Sequence, residues 1–185
     1  MNQAAKALKA YNYAQDNDTD KQWDQYWDDE NAIAHCTLPD GNDWLTIFAD
    51  GSAIFFDGMF DNIICRTKLL HDLPNCILTY YKEFREADID FTFWDLKGSP
   101  VEVYTQILGR LDKPVKPSKK ALARIAAETA AIDAKADQRA VINDVEALTA
   151  VAKRLAATGT VDVQGLKNTL DAIEFSTVAK GRANA

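Results

Sequence analysis

The sequence predicts an α+β protein: an antiparallel β-meander with flanking helices, followed by an alanine-rich helical hairpin or bundle. Three observations carry this expectation. Between residues 31 and 65, apolar positions alternate and are punctuated by Pro39-Asp40-Gly41-Asn42, Asp50-Gly51 and Asp57-Gly58, the turn chemistry of tightly connected strands. Only Tyr104 and Phe175 of the eighteen aromatic residues lie beyond residue 100. Eighteen alanines crowd residues 121–185, so two kinds of structure are specified along one chain. The expected organisation is an acidic α+β domain over 1–112, a Lys/Pro linker over 113–117, a helical module over 118–180 and a flexible tail over 181–185.

The elements follow in order. Ala4, Leu8, Tyr11 and Ala14 recur at helical spacing and predict a helix over 3–14, which the polar tract Gln15 to Asp20 breaks. Asp20 can cap a second short helix with Trp23, Tyr26 and Trp27 on one side and Asp24, Asp28 and Asp29 on the other. The period then changes to two. A strand containing Ile33, Cys36 and Leu38 ends at the Pro39 turn, and a second covers 44–49. Asp50-Gly51 is read as a two-residue type I′ turn, in which both residues take positive φ. A third strand covers 53–56 and a fourth 59–65.

Residues 66–84 are ambiguous: Leu69, Leu70 and Leu73 suit one or two helical turns ending at Pro74, and 76–84 suits either state. Asp88 to Phe93 alternates, predicting a strand with Ile89, Phe91 and Phe93 inward. Ser99-Pro100-Val101-Glu102 has the form of a capping box with proline at the first helical position, and Tyr104, Ile107, Leu108 and Leu111 form that helix's buried stripe.

Beyond the linker, residues 119–158 contain no Pro or Gly and accumulate helix propensity. Leu122, Ile125, Thr129, Ile132 and Ala136 keep a 3-4 spacing. Arg139 then falls where an apolar residue is due, and the stripe restarts at Ile142, Val145, Leu148, Ala152 and Leu155. A break near Asp137–Arg139, giving a helical hairpin or three-helix module, is the expectation. An unbroken helix would be about 58 Å long against about 26 Å for the final helix starting at Val163. The stripe from Leu122 to Ile132 would then need the N-terminal domain, a folded-back helix or another subunit as cover.

Charge is unevenly placed. Gln15 to Asn62 holds twelve acids and one base, a local net of −11 in a chain of net −7. Such a field attracts a basic partner surface. Three cysteines, an odd number without CxxC spacing, argue against a disulfide framework and for a reducing compartment. With no apolar leader pattern and no bilayer-length apolar run, the expected location is the cytoplasm.

No motif in the sequence carries recognisable chemistry. His35 and Cys36 are adjacent in a strand and point to opposite faces, so they cannot share an ion. No glycine-rich loop precedes a helix. Lys113, Lys116, Lys119 and Lys120 read as a solvated linker, and the Asp-Gly pairs as hairpin chemistry. No catalytic residue, metal or cofactor is therefore assigned.

The remaining reading is a non-catalytic acidic binding protein. Asp20, Trp23, Asp24, Trp27, Asp28, Asp29, Glu30, Asp40 and Asp43 would form its partner-binding face, with carboxylates imitating the charge spacing of a nucleic-acid backbone and tryptophans as anchors. The partner would be a basic, nucleic-acid-binding protein, and the chain an inhibitor of the kind viruses or mobile elements use against host defence. Two alternatives stand beside it: a structural protein oligomerising through 118–180, and a small enzyme with a dispersed site.

Overall fold

Hairpin chemistry builds the sheet. The computed structural model describes residues 1–17, 32–57, 62–66, 69–159 and 162–170. The elements are α1 (Gln3–Asn17), β1 (Ala32–Thr37), β2 (Trp44–Phe48), β3 (Ala53–Asp57), β4 (Asn62–Arg66), α2 (Leu69–Glu86), α3 (Pro100–Gly109) and α4 (Lys119–Thr158), with a further helical stretch over 163–170. The chain divides into two compact units, Met1–Ile132 and Asp133–Ala185.

In the first unit the four strands form an antiparallel meander in the order β1-β2-β3-β4. Cys36 pairs with Leu45, Leu45 with Phe55, and Thr46 with both His35 and Ile54. The β1–β2 connection is the turn foreseen at Pro39. The Gly41 N–H donates to the Leu38 carbonyl at 2.9 Å, Asn42 N–H to the Asp40 carboxylate at 3.0 Å, and Gly41 takes φ +74°. The β2–β3 turn is not type I′. Gly51 is at φ +78° but Asp50 is not in the left-handed region. Hydrogen bonds from Gly51 N–H and Phe48 N–H, to the carbonyls of Phe48 and Ser52 respectively, close a three-residue loop, a type I turn followed by a left-handed glycine.

That loop also anchors α1. Gln3 N–H donates to Asp50 Oδ2 at 2.8 Å and Ala4 N–H to Ser52 Oγ at 3.0 Å, satisfying orphan donors at the start of the helix. The Ser52 hydroxyl and N–H both donate to Asp50 Oδ1. Ala4 and Ala7 are the buried side chains of α1, packed on Phe48 and Ile54. The stripe expected from Leu8 and Tyr11 is only half-buried, because a helix capped this closely to the sheet needs alanine at the contact. Partial burial works against ionisation of Asp50, but the bonds from Ser52 and Gln3, with the charge of Lys6, outweigh it and hold the carboxyl below its usual range. Its contribution is therefore present above the unfolded carboxylate pKa and is lost as pH falls through the lower folded value. Ser52→Ala is expected to cost about 1 kcal/mol, read from urea midpoints at neutral pH. Asp50→Asn should flatten the acid limb of the stability profile.

The main core lies on the opposite sheet face. Ala34, Cys36, Leu45, Ile47 and Ala53 pack against Leu73, Ile77, Tyr80 and Phe84 of α2 and Val103, Tyr104, Ile107 and Leu108 of α3. Each fully buried Leu or Ile there contributes about 1.5–3 kcal/mol. Pro74 does not stop α2, which runs through it to Glu86. One lost hydrogen bond near the N-terminus is outweighed by the stripe Leu73, Ile77, Tyr80 and Phe84, all buried. The capping box at Ser99 and Glu102 is present with Pro100 in the first turn.

The expected strand over 88–93 is absent; only an isolated bridge joins Phe93 to Leu96. Asp88 adopts φ +54°, its N–H reaching the Arg85 carbonyl, and Ile89 N–H donates to the Phe84 carbonyl at 2.9 Å. This is the left-handed cap of a helix end. Ile89, next in line, is left 45% exposed.

Helix α4 runs unbroken from Lys119 to Thr158, through Asp137–Arg139. With no Pro or Gly to interrupt it, helix propensity outweighs the single polar intrusion in the stripe. Within the first unit Ile125 is fully buried, and Ala121 and Leu122 pack on the main core. The N-terminal core is thus the cover that this part of the stripe required. In the second unit Gly159, at φ +64°, ends α4 with its N–H on the Leu155 carbonyl. Asp162 then caps 163–170 through Gly165 N–H at 3.0 Å. Among the described residues no helix is long and apolar enough to cross a membrane.

Candidate binding surface

Of the nine residues expected to form the partner face, Asp20, Trp23, Asp24, Trp27, Asp28, Asp29 and Glu30 lie outside the described residues, as does the short helix that would carry most of them. Asp40 and Asp43 are brought together in the β1–β2 hairpin, Asp40 exposed at the turn and Asp43 half-buried at its return. Both sit on the side of the Tyr80 phenol. Burial pushes that phenol above its ordinary value, with the negative forms of Cys36, Asp43, Cys76 and Asp40 adding to the effect.

A second cluster was not legible as a site. On the sheet face away from α2, Trp44 and Phe56 are cross-strand partners, their rings stacked at 5.2 Å and 15°. The His35 ring lies 6.4 Å from Trp44 and 6.5 Å from Trp94, edge-on to the latter. Phe56, Trp44, His35 and Trp94 therefore form one continuous row of rings. His35 is fixed from both nitrogens: Nδ1 is 3.0 Å from the Thr46 hydroxyl and Nε2 is 3.0 Å from the Thr37 hydroxyl. Burial lowers its pKa, so the ring is neutral at pH 7. Cys36 faces the other way, its thiol donating to the Thr92 carbonyl at 3.2 Å, and burial pushes that thiol far up. It is a packing residue, not a nucleophile.

Trp94 ends the row and is 48% exposed, between the fully buried Phe93 and Leu96. Its φ of +30° is in the left-handed region, an arrangement costing roughly 1–3 kcal/mol that persists only when neighbours over-determine it. The determinants are visible. Trp94 N–H donates to the His35 carbonyl at 2.7 Å, on β1 at the edge of the sheet, and Leu96 N–H to the Phe93 carbonyl at 2.6 Å. Arg110 grips Asp95 with both terminal nitrogens, at 2.9 and 3.1 Å, and donates to the Ile33 carbonyl at 3.0 Å. The guanidinium holds the Asp95 carboxyl below the usual carboxylate range. Downstream, Gln106 donates to the Lys97 carbonyl at 3.0 Å. Gly98, at φ +118°, holds a backbone conformation strained for any L side chain, and a Cβ there would displace the Glu102 carboxylate.

Three exposed carboxylates, Asp88, Asp90 and Asp95, share this 87–99 segment with the exposed Ile89 and Trp94. Among the described residues no group of three or more His, Cys, Asp or Glu side chains is placed to hold a metal ion. What the arrangement offers is a rigid aromatic edge beside carboxylates. The one sequence signal for it was Trp-Asp-Leu-Lys-Gly-Ser-Pro, a bulky aromatic followed at once by turn-formers and a helix start. Compared with known proteins, the chain matches no protein-family model, no curated protein and no solved structure.

Proposed function

We propose that this chain is a non-catalytic acidic binding protein that presents carboxylates and rigid aromatic side chains to a basic surface. Its target in this reading is a nucleic-acid-binding protein, a component of a host defence system being the kind of target such an inhibitor meets. The observation that carries the reading is Trp94. A large apolar ring held half in solvent on a strained backbone, pinned by Arg110–Asp95 and the edge of β1, is displayed at an energetic cost. Tryptophan anchors of this kind dominate interface energies when the partner seals them from water. The surrounding charge supports a basic partner: residues 1–132 carry 21 acids and 14 bases, which raises encounter rates with cations and makes them salt-dependent.

The test is a pull-down from host lysate at low and high salt, with duplex DNA as competitor. Captured protein should be released by salt and displaced by the duplex. Reversing Asp24, Asp28 and Asp29 to Lys should abolish capture while leaving the circular dichroism spectrum unchanged. Full-strength capture by the triple variant would remove the acidic row from the mechanism, and indifference to DNA would remove the imitation of nucleic acid.

A further inference from the structure

We infer that the Lys/Pro linker between α3 and α4, residues 113–117, is a docking segment for a protein module with an aromatic-lined groove bordered by carboxylates. The sequence is Lys113-Pro114-Val115-Lys116-Pro117, two Lys-Pro pairs in a three-residue repeat. Proline fixes φ at about −65° at 114 and 117, and it bars the helical region to Lys113 and Lys116, the residue before each. Residues 113, 114, 116 and 117 are thereby committed to extended backbone of the polyproline II kind, which makes no internal hydrogen bonds and leaves its backbone to solvent. In the structure 114–118 lie in no helix, strand or turn. Among the described residues no hydrogen bond or ion pair reaches 113–117.

Three residues per turn place Pro114 and Pro117 on one edge of such a helix, about 9 Å apart, and Lys113 and Lys116 on the next. Lys113, Pro114, Val115 and Lys116 are exposed and Pro117 is half-buried. The segment is held at both ends. On one side Leu111 is buried and Asp112 N–H donates to the Ala49 carbonyl at 2.9 Å. On the other, the Ser118 carbonyl accepts from Leu122 N–H at 3.0 Å, and Ala121 and Leu122 pack on the main core. A groove that closes on a segment already extended and anchored costs it little further entropy. Aromatic slots take the proline edge, the mode by which Pro-x-x-Pro segments are recognised. Charge selects the rest of the partner. Residues 113–127 hold five bases and no acid in a chain of net −7, so the complementary groove carries carboxylates beside its rings.

The test titrates the full chain against a set of purified polyproline-binding domains that differ in groove charge, with duplex DNA as the rival ligand. The partner here is acidic where the one proposed above is basic, so either reading can fail alone. Wild type should bind the domains with acidic grooves. Replacing both prolines, Pro114→Ala with Pro117→Ala, should weaken that binding by about tenfold or more at an unchanged circular dichroism spectrum. Lys113→Glu with Lys116→Glu should weaken it comparably, and arginine at both positions should retain it. Failure to bind any acidic-groove domain overturns the inference, and so does binding that survives the loss of both prolines. Preference for the duplex, reduced by the glutamate variant and untouched by the alanine variant, overturns it in favour of a phosphate contact.

Discussion

Replacing Trp94 with glycine is expected to leave the folded protein about as stable as wild type while weakening capture of the basic partner by at least thirtyfold, about 2 kcal/mol. The two effects separate for a physical reason. At φ +30° an L-residue is strained by about 1–2 kcal/mol that glycine does not feel. Glycine gives back part of this through the larger entropy of its unfolded chain, and the ring it removes is half in water already. The N–H to the His35 carbonyl and the Asp95–Arg110 clamp do not depend on the side chain. Urea midpoints and a binding isotherm on the same preparation read both numbers. A loss of several kcal/mol in stability would make Trp94 a packing residue, and unchanged binding would take it out of the interface.

Ile125→Ala is expected to destabilise the first unit by about 3 kcal/mol, within the range for emptying a fully buried aliphatic site. Val145→Ala, on the same helix but more than half exposed, should change monomer stability by no more than about 0.5 kcal/mol. The contrast follows from one continuous helix serving two compact units, its first turns completing the core that contains Tyr104 and Leu111. Chemical denaturation of the two variants checks it. Near-equal effects would mean that residues 119–132 do not belong to that core.

Local chemistry was legible where it is decided locally. The Pro39-Asp40-Gly41 turn, the meander and the Ser99–Glu102 capping box needed only residues a few positions apart, and all three are in the structure. The errors came where a distant contact outvoted a local preference. Pro74 reads as a stop unless the buried stripe of α2 is known. Ile89-Asp90-Phe91-Thr92-Phe93 alternates like a strand, yet Asp88 in the left-handed region spends the segment on capping α2 and Phe91 on the rings of Tyr81, Phe84 and Phe93. Arg139 reads as a break only if an apolar stripe must be perfect. The candidate surface was the least readable feature of all. Asp40 and Asp43 announced themselves by charge, whereas Trp94 gains meaning only from His35, Ile33 and Arg110, residues spread over 77 positions of chain.

That separation of 77 positions has a kinetic side. The meander closes loops of a few residues, so its pairings carry little entropic cost and form early, while the tie from Arg110 to the Ile33 carbonyl must wait for α2 and α3 to be in place. The support of Trp94 is therefore expected to form after the meander rather than with it. In the binding role proposed above, a molecule whose Arg110–Ile33 tie is open would no longer hold Trp94 in place for a partner.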